Sequence, residues 1–183
     1  SFNKPDNPSR LGYTFNSWDS PVPATFGANS CVFTTNWLAN TNTIYKVEHY
    51  KQNLDNDDYI KDTIETLTGT TDTLSSAATK PFEGFTSLTF SQKNIEPDGS
   101  TVIEIYYNRN TITYTFNAGG GKFSDNTTSK TVSGRYGAAV NKPDTPTRIG
   151  YSFNSWSSSI PDTFGPHSST YTSNWNANTY TVV

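Results

Sequence analysis

Sulfur and imidazole are scarce in this chain of 183 residues, which has one cysteine, no methionine and two histidines. A lone thiol makes no internal disulfide, and two histidines leave little material for a metal centre or for acid-base chemistry near neutral pH. This poverty of sulfur fits a protein exposed to oxidants outside the cell. Charge is scarce too, at 16% of residues with a net of -3. No basic surface is available to neutralise phosphates, which argues against nucleic acid and anionic membranes as partners. No run approaches the ~18 apolar residues of a membrane span, so no membrane insertion is expected in this segment. The opening Ser1-Phe2-Asn3 has no signal-peptide pattern.

Aromatic residues are plentiful: 11 Tyr, 11 Phe and 4 Trp, set among many Thr, Ser and Asn. That mixture favours half-buried strands with short polar outer side chains. The chain also repeats itself. Lys4-Pro5-Asp6 through Asn40-Thr41 returns 138 residues later as Lys142-Pro143-Asp144 through Asn178-Thr179, without a gap and with 23 of 38 positions identical. Self-similarity of this kind marks a modular array. The second copy is preceded by a front half, residues 111–141, with no counterpart before the first. The last residues, Asn178-Thr179-Tyr180-Thr181-Val182-Val183, resemble the junction Asn42-Thr43-Ile44-Tyr45-Lys46-Val47. The expected organisation is residues 1–44 as the second half of a module, 45–110 as a different module and 111–183 as a complete one, cut from a longer tandem protein. Units of this size sit near the lower limit for folding alone and lean on aromatic cores or on neighbours.

Alternation at period two predicts strands at 111–117, 149–156 and 169–175 of the complete copy. Lys130-Thr131-Val132 and Tyr136 to Val140 read as a returning strand interrupted at Ser133-Gly134-Arg135, hence a bulged hairpin or loose turn. The prolines at 143 and 146 make residues 142–148 a connector. Tyr151 and Phe153 share one strand face, and Trp156 falls on the other unless the strand bulges. The middle module shows strands at 44–50, 59–68, 87–90 and 101–107, a polar hairpin turn at 53–58 and a turn at 69–72. Residues 73–80 predict one or two helical turns capped by Asp72 or Thr73 and ended by Pro81. The residues alone read as mainly β with little helix. They do not separate a small sandwich from other small sheets.

The order Tyr114-Thr115-Phe116-Asn117-Ala118-Gly119-Gly120-Gly121, then Tyr136-Gly137, Pro143, Pro146, Arg148-Ile149-Gly150-Tyr151-Ser152-Phe153-Asn154-Ser155-Trp156 and Tyr171-Thr172-Ser173-Asn174-Trp175 resembles the Listeria-Bacteroides repeat. That family includes the B repeat of internalin B and occurs in bacterial surface proteins. The resemblance covers residues 111–179 in full and 1–41 for the second half. Tyr45-Lys46-Val47-Glu48-His49-Tyr50, Gly69-Thr70-Thr71 and Gly84-Phe85 make the middle module similar to mucin-binding-protein-like modules. The resemblance implies tandem β-grasp, ubiquitin-like modules, mainly β or α+β, each a small mixed sheet on a short helix or irregular crossover. It also implies an extracellular or cell-surface role without catalysis, as stalk or adhesin.

The residues that bear chemistry read mostly as structure. Cys31 corresponds to Ser169 and His167 to Asn29, so neither is kept between copies, while His49 lies within a strand. Gly119-Gly120-Gly121-Lys122-Phe123 lacks the frame and the hydroxyl residue of a phosphate loop and reads as a turn. Asp55, Asp57 and Asp58 cluster on one loop as a calcium alternative, but Gly is missing at the sixth loop position and Thr66 stands where a bidentate Glu is needed. Asn126-Thr127-Thr128 is a glycosylation sequon that matters only in a secretory host. Phe15, Trp18, Phe26, Phe33 and Trp37 recur as Phe153, Trp156, Phe164, Tyr171 and Trp175 and suit a core, each burying roughly 150–250 Å². The off-phase Trp18 and Trp156 are the candidates for a contact surface. The expected partners are neighbouring modules, another copy of the chain, or a host protein or glycan, with no cofactor and no enzymatic activity. Without an opening hairpin, Phe15, Phe33 and Trp37 are expected to lose cover unless another segment supplies the strands.

Overall fold

A computed structural model describes residues 3–25 and 27–181; Phe26, which the sequence places in the aromatic row, lies outside them, as do Val182 and Val183. Among the described residues there are ten strands and no helix: β1 Tyr13–Trp18, β2 Thr35–Ala39, β3 Thr43–Gln52, β4 Tyr59–Gly69, β5 Phe85–Ser87, β6 Val102–Arg109, β7 Thr111–Asn117, β8 Ser129–Arg135, β9 Tyr151–Trp156 and β10 Ser169–Ala177. They form a two-stranded sheet, β1-β2, and two four-stranded sheets in the orders β4-β3-β6-β5 and β8-β7-β10-β9. Both larger sheets share the order second, first, fourth, third, and in the later one the central pair β7 and β10 is parallel with antiparallel strands outside. This is a β-grasp order with an irregular crossover where a helix would pack.

By contacts the chain divides into two compact units, residues 1–50, 61–79 and 88–106, and residues 51–60, 80–87 and 107–183. The division runs through the middle sheet. In the first unit Tyr45, Val47, His49, Ile95, Ile103 and Ile105 are buried. His49, buried from solvent, meets Glu65 at 3.0 Å. In the second unit Ile112, Tyr114, Phe116, Ala118, Phe123, Val140, Phe164 and Tyr171 make one core, with Trp156 packed against it. Tyr114 and Phe116 sit on alternate positions of β7, and Tyr171 from β10 packs on both, at 5.4 Å between ring centroids in each case. Period-two alternation is what aims these rings together.

Three expectations from the sequence give way. Residues 73–80 are extended rather than helical. Gln92 explains this locally: its side-chain amide accepts from the Ala77 N–H and donates to the Ala77 carbonyl, while the Ser76 N–H donates to the Tyr45 hydroxyl. Side chains thus satisfy backbone groups that a helix would have paired internally. The front hairpin is regular, because β8 runs through Ser133-Gly134-Arg135 and pairs from Thr111↔Arg135 to Asn117↔Ser129 without a shift. Gly134 is required there, since a Cβ would lie 2.4 Å from the Phe164 ring. Finally, the strand carrying Trp156 does bulge. Trp175 faces Phe153 and Asn174 faces Ser155, leaving Asn154 as the extra residue. Trp156 therefore returns to the face of Phe153, 5.6 Å away, and meets Phe116 edge-on at 5.3 Å. The first copy repeats the bulge at Asn16 and the Phe15–Trp18 edge contact at 5.6 Å. Both tryptophans are half-buried, not off-phase.

Candidate functional site

The sequence Arg-x-Gly-Tyr occurs at residues 10–13 and 148–151, and both copies fold into the same turn. The glycines hold φ of +75° at Gly12 and +79° at Gly150, a region that disfavours any Cβ. Tyr13 N–H donates to the Arg10 carbonyl and Asn40 N–H to the Gly12 carbonyl; Tyr151 with Arg148 and Asn178 with Gly150 repeat both bonds at the same lengths, 3.1 and 2.9 Å. Each arginine lies over its tyrosine ring, at 3.8 Å for Arg10 and 3.9 Å for Arg148, a cation–π contact.

The first turn is seated on a corner at residues 71–72 and on Pro97, within the same compact unit. Thr71 donates its N–H to the Asn40 carbonyl and its hydroxyl to the Gly12 carbonyl, both at 2.9 Å. The Tyr13 hydroxyl donates to the Asp72 carboxylate, and this bond holds the phenol above its ordinary value. A Cβ at Gly12 would lie 2.7 Å from Pro97. Asp72 itself adopts φ +63°, a left-handed conformation its short side chain tolerates. Its N–H donates to the Ile95 carbonyl.

A second cluster, inside the second unit, joins residues 52–57, 84–85 and 109–110 to residues 135–136. Asn110 N–H donates to the Gly84 carbonyl, and Tyr136 N–H donates to the Asn110 carbonyl. Arg109 donates through Nη1 to the Tyr136 carbonyl and through Nε to the Gln52 carbonyl, both at 2.9 Å, with its guanidinium 4.9 Å from the Phe85 ring. Phe85 meets Tyr136 edge-on at 5.8 Å. Gly84 leaves room for that ring, since a Cβ there would lie 2.2 Å from it. Arg135 closes the corner by donating to the Asn56 carbonyl at 2.7 Å and to the Asp57 carboxylate.

Asp57 accepts from Arg135 and from the Gln52 amide, and its loop is folded by Asn56, whose side chain accepts from Asn53 and from the Asp58 N–H. Among the described residues no three of His, Cys, Asp or Glu are grouped to hold a metal ion, and no helix is long and apolar enough to cross a membrane. Cys31 and His167 are exposed. Beside each tryptophan lies a shallow groove of about 440–460 Å³ with matching walls: Lys4, Trp18, Ser20 and Val22 in one copy, Lys142, Trp156, Ser158 and Ile160 in the other. The junction residues were not singled out, although Arg10, Gly12, Tyr13 and Asn40 all lie in the repeated text. A turn with its own glycine explains itself locally, and Thr71 and Asp72 carry no mark in the sequence that they receive it.

The class is thus that of small β modules in tandem. Residues 111–183 match the family model of the Listeria-Bacteroides repeat domain, a domain typical of bacterial surface proteins and generally non-catalytic. No curated protein matches the chain.

Proposed function

We propose that the chain is a non-enzymatic segment of a bacterial cell-surface or secreted protein, acting as the stalk or spacer of an adhesin. Repeats of the Listeria-Bacteroides type, half of one at residues 1–44 and a whole one at 111–183, flank a mucin-binding-protein-like module at 45–110. The observation that carries this reading is the construction of the two junctions. At each, side chains and backbone of one module satisfy backbone groups of its neighbour, as Thr71 does for Gly12 and Asn40, and Arg109 for Tyr136. Modules joined by buried hydrogen bonds transmit load along the chain, whereas modules on slack linkers do not. Pulling the intact chain by its ends in single-molecule force spectroscopy tests this. A spacer gives discrete force peaks that fall when Arg109 is replaced by Ala, and extension without peaks would refute the reading.

The paired grooves favour a second reading, recognition of a host protein or glycan beside Trp18 and Trp156. Saturable binding of the intact chain on glycan or host-protein arrays, lost in Trp156→Ala with the fold retained, would establish it.

A further inference from the structure

The two Arg-x-Gly-Tyr turns have the same internal geometry and different surroundings. Gly12 is buried and Tyr13, Ala39 and Asn40 are half-buried, because Thr71, Asp72 and Pro97 cover them. At the equivalent positions Gly150 is half-buried, and Tyr151, Ala177 and Asn178 are exposed. Nothing lies within 4 Å of a Cβ built at Gly150, and Ile149 projects fully into solvent. Each group used for seating in the first copy is present in the second: the Gly150 carbonyl beside the Asn178 amide, the Asn178 carbonyl, and the Tyr151 hydroxyl held by the Arg148 stack.

We propose that the 148–151 turn, together with Ala177 and Asn178, is a docking surface for a second module of the 43–110 type, received through that module's Thr71-Asp72 corner and Pro97. The occupant follows from the chain itself, which already shows this corner seated on the same turn. Donors and acceptors match one to one: a Thr N–H and hydroxyl meet two turn carbonyls, and a carboxylate meets the tyrosine hydroxyl. The surface accepts one module in one orientation, because the turn's glycine must fit against the proline. This deepens the spacer reading by giving each repeat a seat for the module after it, and the seat fails or stands on evidence other than force.

The test extends the intact chain after Ala177 with a second copy of residues 40–110, in the register those residues have after Ala39. Amide hydrogen exchange is read at Tyr151 and at the asparagine after Ala177. Docking slows both about tenfold or more relative to the unextended chain. Thr71→Val with Asp72→Ala in the added copy alone restores fast exchange. Unchanged exchange at both amides overturns the proposal, and so does slowing that survives the double variant. Exchange within β3 of the added copy shows in the same experiment that it has folded.

Discussion

Tyr13 donates its hydroxyl hydrogen to the carboxylate of Asp72, 59 residues along the chain, and so fastens the turn at residues 10–13 to the corner at residues 71–72. Its twin Tyr151 keeps the arginine stacked on its ring, yet it lies on the surface. The pair isolates what a covering corner adds to one repeated piece of local structure.

That relationship has a pH signature. The hydrogen bond to Asp72 raises the Tyr13 phenol above the ordinary value of about 10. A raised folded value means stabilisation that is complete below the unfolded value and is lost as pH rises through the folded one. Amide exchange at residues 12–13 and 40 should therefore quicken above about pH 10 in the wild type. Tyr13→Phe should show faster exchange already at pH 8 and no further Tyr13-dependent step. Comparing the two proteins removes the titration of the remaining tyrosines, and coincident profiles would show that the bond is idle.

The glycines of the two turns separate backbone strain from crowding. Their φ angles differ by only 4°, so Ala at either costs about 1–2 kcal/mol in backbone strain. At Gly12 the new methyl also meets Pro97, which adds about 1–3 kcal/mol of overpacking. Denaturant unfolding should rank Gly12→Ala clearly below Gly150→Ala. Equal losses would mean that the first turn is not seated as described.

Trp156 is a core residue in its energetics. Its edge contacts to Phe116 and Phe153 make Trp156→Ala cost about 3 kcal/mol. Trp18 keeps the Phe15 contact, but among the described residues no second ring meets it as Phe116 of β7 meets Trp156, so Trp18→Ala should cost less. Chemical denaturation of both variants checks the order.

Acid should loosen the complete repeat first at Asp144. The Lys130 ammonium, 2.7 Å away, and donation from Ser124 hold this carboxyl well below the usual carboxylate range. A depressed value gives stabilisation that is present above the unfolded value, near 3.8, and lost as pH falls towards the folded one. The melting temperature of the wild type should drop between about pH 4 and pH 2 more steeply than that of Asp144→Asn.

Strands were legible wherever side chains alternate over a stretch long enough to own a face. Thr111 to Asn117, the strand from Tyr59, and Thr101 to Tyr107 all lie within a residue or two of their observed bounds. Residues 73–80 were not legible, because their backbone partners are the side chains of Gln92 and Tyr45, distant in sequence. The face of Trp156 was not legible either. A bulge is a property of two strands in register, and one strand read alone gives only parity.

The sequence by itself determined that the chain is modular, that its modules are β-rich with aromatic cores, and that the Arg-x-Gly-Tyr turn occurs twice. Those properties live in composition, period and local backbone preference. Only the tertiary structure decided that the tryptophans turn inward and that identical turns have different surroundings. Each of these depends on a partner tens of residues away, and hydrogen bonds and packing between distant groups leave no periodic trace in the residues that make them.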